Sequence, residues 1–178
     1  MTAERPAAST GYSHLAVAVA DLDRAERFYT AALGFRAGER YSSRGRRVTA
    51  LMECAALGFT GVFLRLGDVL VELLAYEPAM AADRVPRTAD EVGYAHFTLV
   101  VDRLDEIAAR AVRYGGTLRT SFTHPFVDGV TTIAFVLDPD GNRIELIEHS
   151  TPDERAGHAA FLGLAELGWP AHRPDPEA

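Results

Sequence analysis

The chain contains no lysine: its 178 residues carry 18 basic side chains of the Lys and Arg types, and all of them are arginine. A protein without lysine cannot form a Schiff base on its own side chain, and it cannot supply the phosphate-binding lysine of a P-loop. Cysteine is almost as scarce, because Cys54 is the only one and an internal disulfide needs two. No basic group flanks Cys54 in the sequence, so we interpret it as a free, unreactive thiol.

Positive charge is also in deficit. The formal net charge is −7 at pH 7 and the sequence pI is about 5.3. Nucleic acids and anionic membranes attract proteins with surplus positive charge, so we expect neither as a partner and expect a small molecule instead. No apolar run is long enough to cross a bilayer, and the short polar stretch before residue 11 lacks a signal-peptide core. We therefore predict a cytoplasmic protein.

What the chain does contain is a repeat. The segment GYSHLAV at residues 11–17 returns as GYAHFTL at residues 93–99, and Val71-Glu72-Leu73 returns as Ile144-Glu145-Leu146. Both copies follow the order strand, helix and further strands, which predicts an α+β fold of two tandem βαβββ modules. We place the first module at 11–76, a linker or lid at 77–92, the second module at 93–149 and a C-terminal helical extension at 150–178.

Apolar alternation and turn residues predict the individual elements. Helices are expected between Asp21 and Gly34 and between Asp102 and Gly115, each with its Asp near the start. In the first module we predict strands at Leu15 to Ala20, Arg47 to Met52, Gly61 to Leu66 and Val69 to Tyr76. In the second module the strands are Phe97 to Val101, Thr117 to Ser121, Thr131 to Leu137 and Arg143 to Glu148. A further helix is expected from Pro152 to Leu167.

Each module begins with a histidine and ends with a glutamate on otherwise apolar strands. Buried ionisable groups are costly unless they are paired or bound to a metal, so the duplicated His14, Glu72, His96 and Glu145 predict a divalent-metal site. Strand alternation allows all four side chains to point to one concave side. A set of nitrogen and oxygen donors suits Zn, Ni, Co, Mn or Fe(II). The arginines at positions 40, 44, 46 and 47 could instead hold an anionic substrate group, but a solvated loop is the more common role of such a run.

The chain resembles the vicinal oxygen chelate superfamily. The resemblance lies in the two His and two Glu residues and in the ending Leu137-Asp138-Pro139-Asp140-Gly141-Asn142-Arg143-Ile144-Glu145-Leu146. That superfamily includes glyoxalase I, methylmalonyl-CoA epimerase, extradiol dioxygenases, fosfomycin-modifying enzymes and bleomycin-binding proteins. The resemblance spans about Gly11 to His149. It implies paired βαβββ modules that form an open, cupped mixed sheet around an ion, with His14, Glu72, His96 and Glu145 as the metal ligands.

Departures from the family patterns narrow the implied activity. Extradiol dioxygenases and fosfomycin enzymes usually have His where this chain has Glu72, and bleomycin-binding proteins generally lack the ligands. Glutathione-dependent bacterial glyoxalases share all four ligands but typically hold glutathione with an Arg and an Asn, at the positions of Ala18 and Tyr76 here. Methylmalonyl-CoA epimerases usually have Gln in place of Glu72.

We therefore predict a metal-dependent epimerase or isomerase that transfers a proton next to a carbonyl through an enolate, with Glu72 and Glu145 as its two bases. One alternative is a glyoxalase-like lyase that uses a thiol other than glutathione. Another is a protein that binds and sequesters a metabolite or antibiotic. We also expect a homodimer, formed through edge strands or through the apolar tail around Phe161, Leu164 and Trp169.

Overall fold

The computed structural model describes residues 11–78, 88–126 and 129–151. The helix expected from Pro152 to Leu167, the tail around Phe161 and residues 79–87 of the linker lie outside these residues. Among the described helices, none has the length and apolarity required to cross a membrane.

Both halves of the chain fold as a strand, a helix and three further strands. The first half contains β1 (Leu15–Ala18), α1 (Leu22–Arg27), β2 (Arg36–Arg44), α2 (Arg46–Met52), β3 (Gly58–Leu66) and β4 (Val69–Glu77). The second half contains β5 (Phe97–Val100), α3 (Leu104–Arg113), β6 (Thr117–Phe126), β7 (Gly129–Leu137) and β8 (Arg143–His149). Helix α1 begins at Asp21, whose side chain accepts a hydrogen bond from the Arg24 backbone, and it continues as a wide turn over Phe28–Ala32.

The strands form two mixed sheets with the same topology. Their orders are β1-β4-β3-β2 and β5-β8-β7-β6, and in each sheet the first strand pairs in parallel with the last while the other pairs are antiparallel. The predicted α+β fold of two βαβββ modules is confirmed. The described strands make two four-stranded sheets, one for each module.

The second strand of the first module was predicted in the wrong place. Residues Arg46–Met52 form helix α2, and the strand is β2, at Arg36–Arg44. Seven of the nine residues of β2 are exposed, so it lacks the apolar alternation by which a strand is recognised. The prediction that Asp102 caps the second helix was also wrong. The N-cap residue of α3 is Arg103, and the Leu104 N–H donates to Glu148 from β8.

One hydrophobic core joins the two modules. The side chains that face it alternate along the strands and include Val17 of β1, Leu73 of β4, Leu146 of β8 and, from the first helical segment, Phe28 and Tyr29. Burial of a large apolar side chain contributes roughly 1.5–3 kcal/mol, so this shared core holds the modules together. Gly116 is required at the contact, because a Cβ there would lie 2.6 Å from the Phe28 ring and 2.6 Å from the Leu137 carbonyl oxygen.

A buried polar contact also connects the modules. Asp138 accepts hydrogen bonds from the backbone N–H groups of Asp140 and Asn142, from the Asn142 amide and from the Tyr29 hydroxyl, the last at 3.2 Å. Burial raises the pKa of Asp138, and the hydrogen bonds from Asn142 and Asp140 counteract that rise. Burial also raises the pKa of Tyr29, so its hydroxyl stays protonated and donates to Asp138. Asp138 therefore fixes the Asp138 to Asn142 turn and links it to the first module.

Replacing Asp138 by Ala is expected to lower the free energy of unfolding by about 3 kcal/mol or more, because several donors, including the buried Tyr29 hydroxyl, lose their acceptor. Chemical denaturation monitored by circular dichroism measures the loss. Asp68→Ala is the matched control, since Asp68 lies in an exposed turn of the first module. Equal stability of the two variants would contradict the role given to Asp138.

Candidate metal centre

The first predicted pair lies on the side of the first sheet that faces away from the core. His14 precedes β1, and Glu72 lies on β4 opposite Ala16, which is two residues after His14. Val71 and Leu73, on either side of Glu72, are fully buried in the core, so Glu72 points to the outer face of the sheet. The His14 Nε2 atom is 3.2 Å from Glu72 Oε2.

The second predicted pair repeats this arrangement. His96 precedes β5, and Glu145 lies on β8 opposite Thr98, again two residues after the histidine. Ile144 and Leu146 are buried in the core on either side of Glu145. The His96 Nε2 atom is 3.5 Å from Glu145 Oε2. The repeat in the sequence is thus a repeat of side-chain placement.

The surroundings of the two pairs also match. Phe63 packs edge-on against the His14 ring and Phe135 packs edge-on against the His96 ring, with ring centroids 5.3 Å apart in both cases. The histidine side chains are 32% and 33% exposed, and the glutamate side chains are 13% and 16% exposed. Both pairs are accessible to a ligand yet partly shielded from water, which strengthens electrostatic interactions there.

The donor atoms of each pair fit a bound divalent ion. With bonds of about 2.0–2.2 Å to nitrogen and oxygen, adjacent ligands of one ion lie about 2.9–3.5 Å apart. The separations of 3.2 Å and 3.5 Å fall within that range. Ser13 Oγ lies 2.9 Å from Nδ1 of His14. In the tautomer that donates to Ser13, Nε2 is free to bind a metal, and such a partner orients the ring.

Within one chain, the two pairs remain separate. The described residues contain no group of three or more His, Cys, Asp or Glu side chains that could hold one ion. The two sheets share their core, and the His–Glu pairs lie on the opposite faces of those sheets, so they point outward from the common core. The expectation that all four side chains face one concave side is therefore not met by a single chain. Each module presents one His–Glu pair.

The partners of the two carboxylates differ. Tyr41 on β2 donates a hydrogen bond to Glu72 Oε1, whereas Thr98 on β5 donates to Glu145 Oε2 at 2.7 Å. Burial and the hydrogen bond to Glu72 raise the pKa of Tyr41, so the phenol is protonated and acts as the donor. The sequence analysis did not single out Tyr41, because β2 was not recognised and nothing local connects the tyrosine with Glu72.

Aromatic rings cover much of the first sheet's outer face. Phe63 stacks against Tyr41 with centroids 5.6 Å apart, and Phe59 contacts both Tyr41 and Tyr76 edge-on. Beside the second pair, the Arg143 guanidinium lies 5.7 Å from the centroid of the Phe135 ring. Phe59, Phe63, Phe135 and Arg143 were not predicted as site residues, since apolar strand residues are more often part of a core.

Two of the four arginines considered as a site for an anionic substrate group form ion pairs with acidic side chains of the chain itself. Arg40 forms ion pairs with Asp23 and Glu26, and Arg44 forms one with Glu77. These arginines are exposed, as expected for a solvated surface, although they lie on β2 and not in a loop.

A cleft of about 280 Å³, lined by both polar and apolar residues, lies between β1 and the start of the second module. Its lining includes Ala16, Ala18, Tyr94, Asn142 and Arg143. Ala18, one of the two positions at which the chain departs from glutathione-dependent glyoxalases, therefore lines this cleft.

Two βαβββ modules that each present a His–Glu pair define the architecture of a vicinal oxygen chelate protein. The family model described as Glyoxalase/Bleomycin resistance protein/Dioxygenase superfamily matches residues 11–146, and the chain belongs to that superfamily. Enzymes of this superfamily generally use divalent metal ions.

Known proteins agree with this assignment. The lactoylglutathione lyase of Escherichia coli O157:H7 is 31% identical over 147 residues, which are 82% of this chain and 97% of that protein. A glyoxalase family protein from Bacillus cereus has a similar structure, with a TM-score of 0.68, 18% identity and coverage of 83% of this chain and 97% of the other. Glyoxalase I of Leishmania major has a TM-score of 0.57 and 24% identity, covering 87% and 95% of the two chains. The two solved structures support the fold alone.

Proposed function

We propose that the chain is a metal-dependent enzyme of the glyoxalase type that transfers a proton next to a carbonyl group. The observation that carries this proposal is the pair of matched His–Glu contacts on the outer faces of the two sheets. In this proposal His14, Glu72, His96 and Glu145 hold one divalent ion, of the Zn, Ni, Co, Mn or Fe(II) group. A binding protein that only sequesters a metabolite has no need of two carboxylates beside the bound molecule.

The outward direction of both pairs supports a site shared by two copies of the chain. Two ligands per module are too few to hold an ion firmly, and the described part of one chain brings no third His, Cys, Asp or Glu side chain to either pair. In a symmetric dimer, the first pair of one copy can face the second pair of its partner, and symmetry then produces two equal sites. We therefore propose a homodimer with two sites, each of four ligands.

The chemistry follows from the donor set. A bound divalent ion would supply Lewis-acid stabilisation to the negative charge that develops on the substrate oxygen. Glu72 and Glu145 come from different modules and approach the site from different strands, so one can remove a proton and the other can return it. The aromatic side chains Phe63 and Phe135 beside the pairs limit the access of water and strengthen these interactions.

The relatives favour a lyase over the epimerase that we expected from the sequence. Proteins that are 31% identical over 82% of the chain are named lactoylglutathione lyase. The same proton transfer converts the hemithioacetal of a 2-oxoaldehyde and a thiol into a 2-hydroxyacyl thioester, because the proton leaves the thiol-bearing carbon and the neighbouring carbonyl carbon receives one. The chemistry therefore fits both activities. Ala18 and Tyr76 replace the residues that typically hold glutathione, and we propose that the thiol is another one. An epimerase acting on a carbonyl compound is the second candidate, favoured by the two-sided placement of the carboxylates.

Measuring turnover in deuterated water distinguishes these activities. The metal-loaded protein is supplied with methylglyoxal adducts of glutathione, coenzyme A or cysteine, and thioester formation is followed by ultraviolet absorbance. We expect the adduct of a thiol other than glutathione to form thioester at a rate well above the rate for the glutathione adduct. Deuterium incorporation into a ketone without thioester formation would instead identify the epimerase. Metal binding with neither reaction, across the thiols and ketones tried, would leave the sequestering role.

A further inference from the structure

Tyr41 contacts Glu72 on the side away from His14. Its hydroxyl donates to Glu72 Oε1, and the other carboxylate oxygen, Oε2, is the one that lies 3.2 Å from His14 Nε2. The carboxylate is thus held at one oxygen by the phenol, which leaves the second oxygen directed toward the histidine.

The position of the Tyr41 ring is fixed by its neighbours. It stacks on Phe63 at 5.6 Å and meets Phe59 edge-on at 6.0 Å. Gly61 lies opposite Tyr41 on β3, and a Cβ at Gly61 would be 2.8 Å from both Cζ and Oη of the tyrosine. The absence of a side chain at Gly61 therefore provides the space through which the phenol reaches Glu72.

The second module lacks this arrangement. By strand register, Phe122 and Ile133 occupy the positions of Tyr41 and Gly61, and phenylalanine has no hydroxyl to donate. Its glutamate is held differently, because Thr98 donates to Glu145 Oε2, the same oxygen that approaches His96. Among the side chains that the structure describes, a tyrosine hydroxyl on the glutamate therefore occurs in the first module only.

We propose that Tyr41 is a positioning residue for the metal site. Its hydroxyl holds Oε1 of Glu72, so that Oε2 stays directed at the ion beside His14. This inference rests on the proposed function, because it assumes that Glu72 is a ligand. Hydrogen-bond partners of metal ligands orient them, and their loss typically weakens metal binding about 10-fold to 100-fold.

The test is the dissociation constant for Zn²⁺, measured by competition with a chromophoric chelator on the full-length protein. Tyr41→Phe keeps the ring and introduces the residue type that the second module has at this position, so we expect it to fold normally. Its dissociation constant should rise about 10-fold or more. Gly61→Ala should produce a similar rise by displacing the ring, and the double variant should be no weaker than the more affected single variant. Tyr114→Phe is the matched control, because it removes a hydroxyl at the end of α3, away from both pairs.

The outcomes are distinguishable. If the wild-type protein binds no divalent ion, the proposed function fails. If it binds Zn²⁺ and Tyr41→Phe binds equally well, the inference about Tyr41 fails while the proposed function stands. Equal losses in Tyr41→Phe and Tyr114→Phe would show a general structural effect and would also overturn the inference. Substitution with Co²⁺ gives a second readout, since its visible absorption should differ between wild type and Tyr41→Phe when Glu72 changes its coordination.

Discussion

His14→Ala and His96→Ala should each abolish tight metal binding, because each removes one of the neutral imidazoles that would bond directly to the ion. Metal analysis by mass spectrometry of the purified variants gives the number of ions per chain, which should be about one for the wild-type protein if two copies share two sites. Both imidazoles are about one-third exposed and lie on the outer faces of the sheets, so their removal disturbs no core residue. Both variants should therefore remain folded.

Combining the two variants tests whether the sites are shared between copies. The chains are co-expressed with different affinity tags, and the mixed dimer is isolated by two successive affinity steps. One of its sites then carries both defects and the other carries none, so the mixed dimer should bind about one ion. A dimer of two differently tagged His14→Ala chains is the control and should bind none. Sites closed within single chains would leave the mixed dimer without metal, and a monomeric wild-type protein in light scattering would also end the proposal.

Glu72→Gln and Glu145→Gln should reduce proton exchange far more than they reduce stability. The amide is nearly isosteric with the carboxylate and can coordinate weakly, but it cannot accept a proton, and loss of a general base typically costs about 10²–10⁴-fold in rate. The measurement is deuterium exchange on the adduct that the wild-type protein turns over fastest, at saturating metal.

Glu106→Gln provides the matched control, because the Glu106 side chain is exposed on α3 and forms an ion pair with Arg103 at 2.9 Å. Circular dichroism establishes that all three variants are folded. Exchange at the wild-type rate in both site variants would remove the carboxylates from the mechanism, and a loss in only one of them would identify the single base.

The fold could be predicted largely because the sequence repeats. Two copies of one pattern compensate for the weakness of each local signal. Within the described residues, seven of the eight strands overlap their predicted positions, and so do the helices α1 and α3. The exception, β2, carries polar side chains on both faces, and strand pairing with β3 is what makes it a strand. Helix α2 was missed because its apolar residues Val48, Leu51 and Met52 cover less than two helical turns, too short a span to establish a period.

The candidate site could be predicted in part for a related reason. His14, Glu72, His96 and Glu145 stand out because ionisable groups on apolar strands are unusual, and each His lies beside the Glu of its own module. Nothing local relates Tyr41 to Glu72, since 31 residues separate them and the contact depends on the register of three strands. The direction of the two sheet faces was likewise hidden, because alternation within a strand does not say how two sheets pack.

A metal site shared between two chains would couple metal affinity to self-association, because both His–Glu pairs of a chain point outward. If an ion joins ligands from two chains, metal binding raises the affinity of dimerisation. Dimerisation raises the affinity for the metal by the same factor, since linkage is reciprocal. The protein would then lose activity on dilution, with a midpoint that shifts to lower protein concentration as free metal rises. Abundance of the chain and supply of the ion would act as joint controls on the working enzyme, without any separate regulatory site.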